Sequence, residues 1–351
     1  MPFPKAYVDS LLVNWGDRLF PEPLRHSRAL YLSHGALPSD ARRLRERLAL
    51  MLRRAPEVMV KITNRASGAQ GMGAVRRHLQ YISRHGRVGL EDQDARIIAG
   101  DAALQDLCEE WKWGGVGLPE QSRHRETFNV MLSMPPGTSR EAVGNAARAF
   151  AREIFGDGRP YVFAQHDDEA HPHVHLCVQV RGPDGRRLNP RRQDLRHWRD
   201  EFARQLREQG VEANATPRLV RGQTQRLPKQ AVVRMASRGV APRFYQPVIS
   251  ERAQSSLWRA HIESLSVWRE LAHALANSIE PEDRAMAMGV VDFVRRMPVR
   301  RLDPEALLRD SAAAQSRRAQ SPERPRSSYD LERRRRRGAE YHEFDPPLER
   351  D

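Results

Sequence analysis

The span Tyr161–Val180 constrains the rest of the chain more than any other. Two runs with alternating apolar residues, 161–166 and 173–180, are joined by only six residues, Asp167 to Pro172. A link that short cannot return the chain to lie parallel, so the two strands must pair antiparallel. Val174, Leu176, Val178 and Val180 share one face of the second strand, and that face must be buried. The fold is therefore expected to rest on an antiparallel sheet with a packed layer against it.

Other segments extend this reading. Val58, Val60 and Ile62 alternate along 58–63, and Phe128, Val130, Leu132 and Met134 along 127–134. Helical periodicity runs over 74–84, halted near Gly86, and over 193–209, with Leu195, Trp198, Phe202 and Leu206 inward. Thr138 with Glu141 reads as a capping box opening a helix that closes at Gly156. Strands, helices and short hairpin links in this mixture give an α+β class: a central antiparallel sheet with flanking helices. Four regions follow. Residues 1–55 are an extension with an amphipathic helix at 40–54, and 56–218 are the sheet domain. Residues 219–309 are mostly helical (250–279 and 281–296), and 310–351 are a Ser-, Arg-, Pro- and Glu-rich tail expected to be disordered.

The paired strands also carry chemistry. Residues two apart on a strand project together, so His173 and His175 share the face opposite to the valines. His166 ends the preceding strand, and the loop folds it back beside them. Three imidazoles converging from two strands suit a divalent ion with open coordination positions. Asp168 is placed to accept the second ring N–H of a ligand histidine. His171 belongs to the loop, and Cys177, though on the histidine face, is read as a small buried hydrophobe. An ion beside a phosphate-binding surface suggests phosphoryl transfer, which needs an attacking water or side chain.

The helix over 74–84 offers that side chain. Val75, Leu79 and Ile82 form its apolar stripe, and Tyr81 lies well off it, on the side of Arg77 and Arg84. Guanidinium groups there would favour a phenolate and hold a phosphate. Tyr31 is the runner-up; Tyr161 reads as sheet packing, and Tyr245 follows the histidines by 70 residues.

These residues carry a resemblance. The run His166-x-Asp168-x-x-His171-Pro172-His173-Val174-His175-Leu176 resembles the histidine–hydrophobe–histidine (HUH) motif of conjugative relaxases, the mobilization nucleases of the MobA and Ti-plasmid border-nicking group. His78-Leu79-Gln80-Tyr81-Ile82-Ser83-Arg84 is similar to their first motif. The resemblance covers about residues 57–218. It implies that Tyr81 attacks a phosphodiester of single-stranded DNA at an origin of transfer, leaving a 5′-phosphotyrosyl link and a 3′-hydroxyl. It implies that His166, His173 and His175 hold the ion (Mg2+ or Mn2+, with Zn2+ as the alternative); Asp168 is a candidate to take the Tyr81 proton, with support of a ligand histidine the preferred role. A tyrosine preceding the histidines matches relaxases rather than replication initiators. Accessory DNA-binding and type IV secretion coupling proteins are the partners implied.

Charge agrees with a polyanionic partner but does not demand one. The chain has 351 residues, 59 of them basic and 45 acidic, for a net charge of +14. Only four of the basic residues are lysines, a skew that GC-rich coding also produces. Arg186, Arg187, Arg191, Arg192, Arg196 and Arg199 follow the histidine strand and are expected to line a DNA path beside it, with Arg77 and Arg84. Two cysteines, no apolar run long enough for a membrane helix and no signal-like start suggest a cytoplasmic protein without membrane insertion. No lysine is followed by Ser or Thr, so no P-loop helicase accompanies the domain. A non-catalytic mobilization or replication accessory protein and a three-histidine enzyme acting on a small molecule are the competing readings.

Overall fold

The computed structural model describes residues 2–19, 37–64, 71–224, 235, 238–240 and 250–302. The expected disordered tail and the alternative tyrosines Tyr31 and Tyr245 lie outside these residues. The sheet has six strands: β1 (Met59–Ile62), β2 (Leu90–Asp92), β3 (Ile97–Ile98), β4 (Thr127–Ser133), β5 (Tyr161–His166) and β6 (His173–Gln179). Their order across the sheet is β1-β4-β6-β5-β2-β3, and every neighbouring pair is antiparallel. Eight α-helices are present among the described residues: α1 (Lys5–Leu19), α2 (Leu37–Leu52), α3 (Met72–Ile82), α4 (Asp101–Trp113), α5 (Arg140–Phe155), α6 (Arg192–Glu208), α7 (Glu251–Ala276) and α8 (Pro281–Arg295). This is the α+β class with a central antiparallel sheet. Between Arg87 and Glu126, where no element is expected, lie β2, β3 and α4.

The hairpin β5–β6 sets the faces. Its register places His166 opposite His173 and Ala164 opposite His175. On one face Phe128, Val130, Leu132, Phe163, Val174, Leu176 and Val178 are buried with Phe150, Phe155, Trp198, Phe202 and Leu206 of α5 and α6. On the other, Val162, Ala164 and Cys177 join a smaller core with Val75, Leu79 and Ile82 of α3 and Leu104, Leu107 and Trp111 of α4. Cys177 is thus the buried small side chain expected of it, and its thiol is pushed up to about 12 by burial.

Two local details differ from the sequence reading. The cap of α5 is Ser139, whose Oγ accepts the Ala142 N–H at 3.2 Å, while Thr138 Oγ1 donates to the Pro135 carbonyl at 2.9 Å. The proline turn holds Thr138 one residue too early to serve the helix. The helix α3 ends at Ile82, and Arg84 and His85 take positive φ angles of 51° and 57°. Gly86, at φ 76°, packs its Cα so closely on Gly100 that a Cβ would come within 2.8 Å of backbone. That close approach pulls the chain out of the helix before Arg84.

The N-terminal extension and the C-terminal helices meet. Val8, Leu12 and Trp15 of α1, Leu48 and Met51 of α2, Trp268 and Leu271 of α7 and Val290 of α8 share one core. Arg45 ties it together by pairing with Asp9 and Asp283, both at 2.7 Å.

Candidate active site

The sheet brings the three histidines together at one end of the hairpin. His173 and His175 sit two apart on β6 and His166 closes β5 opposite His173, so their rings lie 4.6–5.3 Å apart between centroids. One ring nitrogen from each comes within 4.8 Å of the others, the one such ligand group among the described residues. All three are buried.

Hydrogen bonds set which nitrogen is free. A carbonyl can only accept, so the His166 Nε2 facing the Ile82 carbonyl at 2.7 Å carries the proton, leaving the Nδ1 lone pair. By the same reasoning His173 Nδ1 donates to the His171 carbonyl at 3.0 Å and leaves Nε2. Burial, then the neighbouring imidazoles, push His175 down to about 3. His166 is lowered as well, chiefly by burial and against the pull of the Ile82 carbonyl. Ring lone pairs oriented in this way at His166 and His173, beside His175, fit a divalent ion. The carbonyls of Ile82 and His171 therefore do what was expected of Asp168.

Asp168 has another partner. Its carboxylate pairs with Arg84, whose Nη2 also stands 3.2 Å from His166 Nδ1. Burial acts upward on Asp168, but Arg84 and the nearby histidines outweigh it and hold the carboxyl below its ordinary range. The loop between the strands is clamped from behind by Arg140, at the start of α5. It donates to the carbonyls of His166 at 3.3 Å and Glu169 at 2.6 Å and pairs with Asp167 at 3.0 Å.

Tyr81, in the last turn of α3, is brought to this group. Its ring centroid lies 5.8 Å from that of His175 and 6.4 Å from that of His166, both edge-on, and the residue is 53% exposed. The Arg84 guanidinium stands over the same ring at 5.3 Å. His78, one turn earlier, stacks on Tyr81 at 6.3 Å. Its buried Nε2 has no hydrogen-bond partner among the described residues, and burial lowers the imidazole to about 4. The i, i+3 spacing from Tyr81 was the available signal for His78.

The expected arginine path divides. Arg77 is exposed on α3, in the layer that carries Tyr81. Arg186 and Arg187 do not lie beside the histidines, because β6 carries the chain about 20 Å away from His173 before the turn that holds them. Arg186 is 88% exposed there, and Arg187 donates to the Arg125 carbonyl at 2.5 Å and lies 3.7 Å from buried Glu126. Arg191 and Arg192 open α6, which packs on the opposite face of the sheet, and Arg199 of α6 donates to the Val60 carbonyl at 3.4 Å. Trp198 is core, as expected.

Residues 98–211 match the family model for the relaxase nuclease domain of the MobA/VirD2-like kind. Over that stretch the chain is similar to relaxase nuclease domains. The match spans β5, the loop and β6 with all three histidines, while Tyr81 and α3 precede it. Among curated relatives, the T-DNA border endonuclease VirD2 of Agrobacterium fabrum is 29% identical over 188 residues, 48% of this chain and 42% of that protein. VirD2 of Rhizobium radiobacter is 27% identical over 189 residues, 48% of this chain and 44% of that one. VirD2 of Rhizobium rhizogenes is 30% identical over 138 residues, 36% and 31%. The similarity thus spans less than half the length of each relative. The resemblance to relaxases of the Ti-plasmid border type, first drawn from the histidine run, stands on these matches too.

Proposed function

We propose that this chain is a relaxase that nicks one DNA strand at an origin of transfer through Tyr81 and later rejoins it, to start and end mobilization of a plasmid or integrative element. One observation carries the reading: an exposed tyrosine whose ring edges two members of a three-histidine group. Tyr81 Oη attacks phosphorus, the bond from phosphorus to the 3′ oxygen breaks, and the phenolic proton is given up. The departing oxygen takes up a proton and becomes a 3′-hydroxyl, while the 5′ phosphate stays esterified to Tyr81. One phosphodiester replaces another, so attack by a 3′-hydroxyl reverses the step without nucleotide hydrolysis.

The chain's own residues orient and neutralise. With the Arg84 guanidinium, which stands 3.2 Å from His166 Nδ1, turned to the phosphate, Nδ1 of His166, Nε2 of His173 and a ring nitrogen of His175 would hold a divalent ion, Mg2+ or Mn2+ with Zn2+ as the alternative. Such an ion supplies charge neutralisation at the non-bridging oxygens of the scissile phosphate. Arg84, already over the Tyr81 ring, is positioned to bind that phosphate, and Arg77 a neighbouring one. Asp168 holds Arg84 in place. Arg186, Arg187, Arg191 and Arg192 have no part in the chemistry on this reading. The protein acts in the cytoplasm with an accessory DNA-binding protein to open the duplex and a secretion coupling protein to receive the strand.

The test is a supercoiled plasmid carrying the cognate origin, incubated with the chain and Mn2+ and then denatured. Relaxed circles with protein attached at the 5′ end are expected, and none from Tyr81→Phe. Equal adduct from Tyr81→Phe overturns the assignment of the nucleophile; no adduct from the wild-type chain overturns the function.

A further inference from the structure

The relaxase-like face of the sheet continues past the histidines. Residues directly opposite each other in an antiparallel ladder point to the same side. The register therefore defines two rows, each across four strands. One runs Met59, Ser133, His173, His166, and the other Lys61, Met131, His175, Ala164. The helices α3 and α4 pack over the β5 and β2 end of this face, with Val162, Ala164, Cys177 and Leu90 beneath them. Among the described residues nothing packs over the β1 end of this face: Met59 is 42% exposed, Lys61 is exposed and Met131 half-buried.

Lys61 is one of only four lysines in the chain. Among the described residues no carboxylate forms an ion pair with it. Its backbone is fixed by pairing with Met131, so its position relative to His175 is set by two strand spacings, about 10 Å. That is a span of about three nucleotides at the 3.4 Å rise of a duplex strand, and fewer if the strand is extended. Met59 and Met131 flank it with unbranched, polarizable thioethers that adapt to flat aromatic rings. A cation between two apolar, deformable side chains, in the same plane as a phosphate-directed site, matches a strand whose phosphates and bases alternate in accessibility.

From this register we infer that the open β1–β4 face is the track for the single-stranded DNA leading to Tyr81, with Lys61 on a backbone phosphate and Met59 and Met131 against bases. The inference rests on the proposed nickase reading and adds where the strand lies. A duplex does not fit the same role, because its bases are stacked inward and cannot meet the methionines. β1 is also the edge of the sheet, where a lysine can serve to discourage strand-to-strand aggregation. That role would leave DNA affinity untouched.

Binding of the full chain to a fluorescein-labelled, mixed-sequence single-stranded oligonucleotide, followed by anisotropy at several salt concentrations, tests the track. Lys61→Ala is expected to weaken binding several-fold and to lower the slope of log affinity against log salt by about 0.7, the release of one counterion from a single strand. Met59→Ala is expected to weaken binding with the slope unchanged, and Arg186→Ala to change neither. Unaltered affinity and slope in both Lys61→Ala and Met59→Ala overturns the track, as does equal affinity for the corresponding duplex. Formation of the Tyr81 adduct on origin DNA, measured alongside, keeps that failure separate from failure of the nickase reading: adduct without an effect at Lys61 sinks the track alone.

Discussion

The two faces of the sheet are built from the same strands and do opposite things. On one, alternate residues of β4, β5 and β6 are phenylalanines, valines and leucines sealed by α5 and α6. On the other, the intervening residues pass within one strand from Cys177, fully buried, to His175 and His173 at the open end. Stability resides mainly in the first face, and the second is left free to concentrate polar groups that would be costly in a core. A period of two is what allows one strand to serve both.

The contrast can be broken by substituting neighbours on β6. Leu176→Ala, on the sealed face, should destabilise the fold by about 2–5 kcal/mol, read by denaturant unfolding. His175→Ala, one residue away, should cost far less stability while abolishing Mn2+ binding measured by calorimetry. Comparable loss of stability in both would mean that the faces are not divided as described.

A second prediction concerns the clamp. Arg140 orders the loop between the ligand strands from the sealed side, so Arg140→Ala should weaken Mn2+ affinity by about 10–100-fold with far-ultraviolet circular dichroism unchanged. Unchanged affinity would show that β5 and β6 alone hold the histidines.

The smallest effect is one of pH. His78 is ordinary near 6.5 when exposed but held down to about 4 by burial in the fold. A depressed folded value means that the unfolded chain takes up the proton first. Its contribution is present above pH 6.5 and is lost as pH falls from about 6.5 toward 4. His78→Leu should therefore flatten the decline of stability over that interval by roughly 1–3 kcal/mol. An unchanged slope would contradict the buried, neutral state of His78.

The hairpin was readable because its information is local: alternation, a six-residue loop and four histidines within ten residues. Tyr81 was readable in part, since the helical stripe placed it off the core, though only the packing of α3 on Val162 and Ala164 delivers it to His175. Arg186 to Arg192 follow the histidines along the chain but not in space, because β6 leads away from its own histidines. Arg84 and Asp168 were both named, but their pairing with each other depends on a left-handed turn that no periodicity announces. Nor could the sequence announce that α1 and α2 pack with α7 and α8, over 200 residues distant.

The most direct measurement is to locate the covalent bond. Origin DNA is nicked by the wild-type chain, the adduct is digested with nuclease and trypsin, and the peptides are analysed by mass spectrometry. The account predicts a nucleotide phosphate on the peptide containing Tyr81 and on no other. A phosphorylated peptide containing Tyr31, Tyr161 or Tyr245 instead would contradict it.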